Sequence, residues 1–489
     1  MRRSIRFLFR GQVEDIDSFD PTMTVLEWLR ETRFATGTKE GCNEGDCGAC
    51  TIVLAWIEEG RLRYRPVNSC ILLLGQLDGA EVLTIEDLAH GAVLHPVQEA
   101  MVRHHGSQCG FCTPGIVMSL FAAYHEIARP ATREAIEDVL AGNLCRCTGY
   151  RPIVDAALEA MAHPPSDRFE AESAARLKRL EALQEGSDVF IGHDARFFAA
   201  PASLENLADL ALRHPEATLL AGSTDVGLWV TKRLADLGQI IWLGRVRGLD
   251  RIDDRDDVLH LGAMVTHERA MAHLSAIDPD LGLLMRRFGS RQVRASGTVG
   301  GNIANGSPIG DLAPALIALN ATVELRKGGL LRSMPLERFF VAYGRQAREA
   351  GEIVTRLVIP KLAPGMMFRA FKISKRFDED ISTVLGAFCF RIENGHILEA
   401  RIAYGGMAGT PARAHATETA LAGISLADPH AWAEALSHLA QDFTPISDMR
   451  ASALYRAKVA RAVLGKALLE AASSPAQTRI QPREPRDAA

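Results

Sequence analysis

Eight of the nine cysteines fall between Cys42 and Cys147, and their spacing restricts what the chain can be. Cys42, Cys47 and Cys50 read C-x4-C-x2-C, with Cys70 downstream. That is the ligand spacing of a plant-type [2Fe–2S] cluster. Cys109, Cys112, Cys145 and Cys147 form a second set, C-x2-C followed by C-x-C. Soft thiolates suit iron–sulfur units, so two full sets predict two clusters and therefore electron traffic. Gly41, Gly45 and Gly48 lie among the first ligands. A loop wrapped round a cluster needs positive φ and close backbone approach, which glycine permits. Its amides can then point at the sulfurs and tune the potential. Structural zinc and disulfides are the competing readings. Zinc sites pair C-x2-C with another C-x2-C or with histidines, which C-x4-C-x2-C fits poorly. Disulfides need an oxidising compartment, and the first residues do not read as an export signal. Arg6 and Arg10 interrupt any apolar segment, and Ile5, Phe7 and Phe9 alternate like a strand. The expectation is a mature protein starting near Met1 and a cytoplasmic location.

At 489 residues the chain has room for roughly three or four domains. A net charge of −5 gives no case for nucleic acid or an anionic membrane as partner. No apolar run approaches the roughly 18–20 residues of a membrane span.

Short strands at 4–9, 51–57 and 82–85, with a helix at 24–32 capped by Thr24, predict a small α+β domain over residues 1–88. Over 89–163 the apolar period becomes helical. Pro96 opens one helix and Thr132 caps another, and the second cysteine set sits in the turns of a small bundle. Residues 164–188 carry many charges and few apolar side chains and read as a linker, partly helical, crossing to the next domain. Residues 189–366 have a mixed α/β texture. It includes a helix at 204–213, strands at 218–221, 239–242 and 258–261, a mostly helical stretch at 270–288 and a helix at 311–319. Residues 367–472 read as antiparallel strands with helices laid on them, Asp428 capping one helix ahead of Pro429. Residues 473–489 read as a disordered tail.

Two glycine-containing turns are candidate phosphate cradles: Gly222-Ser223-Thr224-Asp225 after a strand, and Thr298-Val299-Gly300-Gly301-Asn302. Neither has the Rossmann G-x-G-x-x-G pattern. Taken alone, each fits an ordinary turn better than a binding loop. Cys389, between Phe388 and Phe390 in a predicted strand, reads as a buried, inert thiol. His104-His105 reads as a surface pair.

Together these stretches resemble the iron–sulfur and flavin portion of the xanthine dehydrogenase family of molybdenum hydroxylases. The resemblance rests on Gly41 to Cys50, on Gln108 to Gly115, on Cys145 to Tyr150, on Val299 to Asn302 and on Ser307 to Leu312. It runs from Ile5 to about Leu469. It implies an α+β multidomain fold: a plant-ferredoxin-like domain, a four-helix [2Fe–2S] domain, a two-part, non-Rossmann α/β FAD-binding domain and a C-terminal α+β domain. It implies that Leu219, Leu220, Ala221, Gly222, Ser223, Thr224, Asp225 and Val226 line the FAD pyrophosphate and adenine side. Phe288 would lie against the isoalloxazine, where an aromatic face can stack. Thr298, Val299, Gly300, Gly301 and Asn302 would hold the diphosphate, and Asp311 a ribityl or ribose hydroxyl. Val354 and Lys372 match further FAD positions, although Lys372 equally fits a solvated charge. Asp378 and Asp380 match an acidic loop near the flavin, and Tyr343 the nicotinamide side. Gln108 and Cys147 would face the pterin of a partner.

The same resemblance implies a split arrangement, in which a separate large subunit carries molybdopterin and two small and two large subunits form a heterotetramer. The expected activity is that of the small subunit of a xanthine dehydrogenase, with NAD+ as acceptor. A module serving another hydroxylase, for aldehydes, carbon monoxide or a heterocycle, is the alternative. A zinc-stabilised binding scaffold is the reading from another class, and it predicts a colourless protein. This chain has Ser223 and Asp225 where other members often carry asparagine and glutamate; the polar character is kept.

Overall fold

A computed structural model describes residues 1–473 and 478–479. The chain forms two compact units. The first comprises Met1–Leu210, Glu216–Arg247 and Gly289–Gly297; the second comprises Ala211–Pro215, Gly248–Phe288 and Thr298–Ala489.

The first unit is built on a five-stranded sheet, in the order Gln12–Ile16, Ile5–Phe9, Glu81–Leu83, Thr51–Glu58, Arg61–Asn68. Side chains alternate across a strand, and here both faces of the central strands are covered. Phe7, Phe9, Ile52, Leu54 and Val82 pack on Val25, Trp28 and a second sheet. Leu8, Val53, Ala55 and Leu83 pack on helices. A sheet covered on both faces reads as a near-continuous apolar run, which is the pattern of Thr51 to Ile57. The second sheet has the order Val189–His193, Arg196–Ala200, Gln239–Trp242, Thr218–Leu220, its last three strands parallel.

The helical bundle comprises Pro96–Arg103, Thr113–Glu126, Arg133–Leu140 and Arg151–Ala160. Thr132 caps the third helix, its hydroxyl accepting from the Ala135 amide, as the sequence predicts. The 164–188 stretch is partly helical, as expected, but it is packed into the core rather than crossing freely as a linker. It forms helices Arg168–Ala171 and Ser173–Leu183, and Phe169, Leu180 and Leu183 are buried in the bundle core. The buried Arg176 guanidinium pairs with Glu81 and lies 4.5 Å from the Phe169 ring centre. Only a few apolar side chains anchor this stretch, so a count of them hid the packing.

The second unit holds an antiparallel sheet ordered Ile252–Asp254, Val258–Gly262, Ile353–Pro360, Thr322–Lys327, Leu330–Pro335. The helical stretch expected at 270–288 is two helices, His267–Ile277 and Pro279–Arg286. They break at Asp278, which caps the second by accepting from the Asp280 amide, with Pro279 in its first turn. A four-stranded antiparallel sheet, Met366–Ile373, Val384–Glu393, His396–Gly405 and Ala412–Arg413, carries the long helix Ala453–Ala472. Cys389 is buried there, and burial pushes its thiol up to about 12. Within the expected tail, Arg479 is tied down by Asp280 and Glu470. Residues 474–477 and 480–489 lie outside the described residues.

Candidate redox site

All nine cysteines are free thiols. In the first set, Cys42 and Cys47 are half-buried and Cys50 and Cys70 are buried. The sulfurs fall into two pairs. The Cys42 amide donates to Cys47 Sγ and the Cys47 amide to Cys42 Sγ, each at 3.3 Å. Cys50 Sγ and Cys70 Sγ are also 3.3 Å apart. The hydrogen bond from Cys47, helped by backbone amides of Cys47, Glu44 and Asp46, lowers the Cys42 thiol to about 5 against the effect of burial. Gly45 and Gly48 take φ of +77° and +68°, which turns loop amides toward sulfur as the sequence predicts. Four soft donors in two pairs suit a [2Fe–2S] unit, each iron taking two thiolates.

The second set is assembled at the surface. Cys109 and Cys147 are exposed; Cys112 and Cys145 are half-buried. Hydrogen bonds pair Cys109 with Cys147 and Cys112 with Cys145, and burial, followed by that bond, pushes the Cys112 thiol up to about 12. Tyr150, at φ +66°, closes the turn. Its hydroxyl accepts from the Cys145 amide at 2.7 Å and donates to the Asn143 carbonyl at 3.0 Å. Phe111 and Leu144 beside these cysteines are 49% and 48% exposed, an apolar rim open to a partner. The two cysteine loops touch: the Leu144 amide donates to the Cys47 carbonyl at 2.9 Å.

The predicted FAD residues divide between the units. Leu219 to Val226 lie in the first. A Cβ on Gly222 would stand 1.8 Å from the Ser296 carbonyl oxygen, so only glycine fits. Ser223, at φ +65°, buries a hydroxyl with no hydrogen-bond partner. The amides of Ser223, Thr224 and Asp225 also donate to no partner among the described residues. Orphaned donors bunched in one turn suit an anionic, phosphate-bearing group. The helix that follows, Val226–Thr231, rests on the first cysteine set. A Cβ on Gly227 would be 2.5 Å from the Ile71 carbonyl oxygen, and Leu228 packs with Cys50, Cys70 and Ile71. Lys232 Nζ donates to the Cys42 carbonyl at 2.6 Å.

In the second unit the Thr298–Asn302 turn differs from the cradle expected of it. The amides of Val299 to Asn302 are already engaged: Val299 to the Val265 carbonyl, Gly300 to Ala263, Gly301 to the Thr298 hydroxyl and Asn302 to the Thr298 carbonyl. Side chains rather than amides are what this turn can offer a ligand. Gly300 is required by the sheet, since a Cβ would come within 2.6 Å of the Ala263 backbone. Lys372 is buried, so it is not a solvated charge; its Nζ bonds Asp311 Oδ2 at 2.7 Å. Asp311 accepts from Ser382 as well. Phe288 packs on His267 with ring centres 4.4 Å apart. Val354 is buried, Asp380 accepts the amides of Lys375 and Arg376, and Tyr343 and Asp378 are exposed.

His95, His125 and Asp167 also bring metal-ligating atoms together. His95 Nδ1 accepts from the Val97 amide, so the ring proton is on Nε2 and is donated to Asp167 at 2.6 Å. A neutral imidazole so arranged has no lone pair left for a metal. The trio is a buried hydrogen-bonded buttress.

Family profiles match three parts of the chain. Residues 84–158 match a [2Fe–2S] binding domain, 193–362 the FAD binding domain in molybdopterin dehydrogenase, and 369–471 the CO dehydrogenase flavoprotein C-terminal domain. This chain carries the iron–sulfur and FAD-binding domains of the molybdenum hydroxylase family. The xanthine dehydrogenase of Emericella nidulans is 30% identical over 90% of this chain and 36% of its own length. Xanthine dehydrogenase 2 of Arabidopsis thaliana is 32% identical over 82% of this chain and 35% of its own length. The chain thus spans about a third of the curated relatives it matches. A carbon monoxide dehydrogenase chain from Hydrogenophaga pseudoflava superposes with a TM-score of 0.53 at 27% identity, over 56% of this chain and 96% of that one. A chain of quinoline 2-oxidoreductase from Pseudomonas putida 86 gives 0.52 at 26% identity over the same shares.

Sequence reasoning missed Lys232, Asn143 and Gln292, which brace the cysteine loops. Asn143 lies in the second cysteine turn itself; Lys232 and Gln292 carry no motif of their own, and only the fold brings them to the site.

Proposed function

We propose that this molybdenum hydroxylase module is the electron-transfer component of a xanthine dehydrogenase. Cys42, Cys47, Cys50 and Cys70 hold one [2Fe–2S] cluster, and Cys109, Cys112, Cys145 and Cys147 hold the other. Leu219–Val226 contact FAD, with the Ser223 turn supplying free donors to its phosphates. Phe288, Thr298–Asn302, Asp311, Val354 and Lys372 supply the remaining contacts. Bound clusters supply one-electron storage, and FAD supplies the conversion to the two-electron hydride that NAD+ accepts. The chain's residues bind, space and shield these groups, and no acid–base or nucleophilic set is required of them.

One arrangement carries the reading. Within a single unit, one cysteine set is exposed beside an apolar rim, and the other is buried against the helix that follows the Ser223 turn. This gives electrons an entry from a molybdopterin-bearing partner subunit and an exit toward flavin. Relatives that are xanthine dehydrogenases over most of this chain favour xanthine or hypoxanthine as the partner's substrate. The likeness to carbon monoxide dehydrogenase and quinoline 2-oxidoreductase chains favours the second reading, the same module serving another hydroxylase. The native complex should form NADH when given xanthine. Turnover of an aldehyde, carbon monoxide or a heterocycle, with none of xanthine, selects the second reading. Two small and two large subunits are the expected assembly, measured by mass in solution.

A further inference from the structure

Gln292 lies in the short helix Arg291–Ser296 of the first unit and is 1% exposed. Its Nε2 reaches Asn143 Oδ1 at 3.0 Å, Ser119 Oγ at 3.1 Å, Thr51 Oγ1 at 3.2 Å and the Gly142 carbonyl at 3.4 Å. Thr51 follows Cys50. Gly142 and Asn143 precede Cys145. Ser119 is on the helix that starts at Thr113, directly after Cys112. One amide nitrogen, with two protons to donate, therefore lies against segments that carry both cysteine sets. Asn143 extends the knot, its Nδ2 donating to the Gly48 carbonyl at 3.1 Å. The surrounding backbone leaves no slack: a Cβ on Gly48 would be 2.0 Å from the Gly142 oxygen, and one on Gly115 2.1 Å from the Gly48 oxygen.

A packing role alone does not account for an amide here. Gln292 Oε1 is buried with no partner among the described residues, a desolvation penalty that an apolar side chain of the same length avoids. Only the donor end of the amide is used, and it is used on the cysteine loops. We propose that Gln292 is a positioning residue that fixes the separation and orientation of the two cages for electron transfer. The clusters these cysteines would hold would pass one electron between them, with no bond made or broken and no proton moved, and Gln292 would set the spacing of their ligands. The inference rests on the assignment of the eight cysteines to two [2Fe–2S] clusters.

The test uses the full chain with Q292M and Q292L. Iron content and the separate paramagnetic signal of each reduced cluster come first; zinc in place of iron would remove the cluster assignment itself. With both clusters present, the magnetic splitting between them is expected to change. Redistribution of the electron after rapid dithionite reduction is expected to slow. L274A, a core truncation in the second unit, should lower stability and leave the splitting alone. If Q292M fails to accumulate, S119A, which removes one acceptor, carries the same test with a smaller change in splitting. Unchanged splitting and unchanged redistribution in the variants that retain both clusters would overturn the proposal.

Discussion

The two cysteine sets use the same chemistry in opposite surroundings. Cys50 and Cys70 are at most 2% exposed, enclosed by Leu26 and Ile71 with Leu228 against them. Cys109 and Cys147 are exposed, and their loop is held from behind by Tyr150 and Asn143 while Phe111 and Leu144 stand open in front. A relay that hands electrons on within one chain gains from enclosure. A relay that receives them from another chain needs an open face. Burial, not ligand identity, separates the two roles.

The largest test of that contrast compares C70S with C109S. Each should lose about half of the iron, because a cage of three thiolates holds its cluster poorly. C70S should also cost on the order of 3 kcal/mol of stability, since it leaves an uncompensated polar group in the core. C109S should cost under about 1 kcal/mol, as surface changes do. Iron analysis and denaturant titration measure both, and equal destabilisation would erase the distinction. Next comes a pair of glycines. G48A meets a backbone oxygen at 2.0 Å from a residue at φ +68° and should cost about 3 kcal/mol. Gly149, at φ +67°, has nothing within 4 Å, so G149A should cost only the ~1–2 kcal/mol of the left-handed conformation.

The grouping of eight cysteines into two sets of four was legible from spacing alone, and the fold brings each set together. Helix ends at Thr132 and Asp428 were legible because capping is local chemistry. What spacing cannot carry is long-range satisfaction of hydrogen bonds. Nothing in the sequence distinguishes the Ser223 turn, whose amides are free, from the Thr298 turn, whose amides are spent on Val265, Ala263 and its own hydroxyl. The packing of the helices at 168–183 into the core was missed for a related reason. Their hold on the core comes from Phe169, Leu180, Leu183 and the Arg176–Glu81 pair, too few apolar positions for periodicity to register.

The open rim gives the third test. Phe111 and Leu144 contribute little to the chain's own core, so F111S and L144S should leave iron content and melting behaviour nearly unchanged. If they meet the partner subunit, each should weaken association by about tenfold, the range of an apolar contact at an interface. The assay is the concentration dependence of complex formation by mass in solution. Undiminished association in both variants would move the docking face away from the second cage.

The smallest effect is a pH dependence confined to one side of the comparison. His95 and His125 both donate to Asp167 inside the helical domain that carries the second cage. Burial lowers His95 below its ordinary 6.5, with Asp167 opposing. Burial would raise the Asp167 carboxyl, but the hydrogen bonds from His125 and His95 outweigh it and hold the group well below 3.8. Both shifts act in the same direction. Below about pH 6.5 the unfolded chain takes a proton at His95 that the folded chain refuses, and below about pH 4 the same holds for Asp167. Stability is therefore full above pH 6.5 and falls in two stages as the solution is acidified. H95Q should flatten the upper stage and shrink the lower one, which then rests on the His125 hydrogen bond to Asp167. The melting temperature between pH 7 and pH 5 should drop by a few degrees in the native chain and by less in H95Q. Because the trio sits only on the helical side, the paramagnetic signal of the second cluster should fade before that of the first. Simultaneous loss of both signals would mean that the contact between Leu144 and Cys47 makes the two cages a single cooperative element.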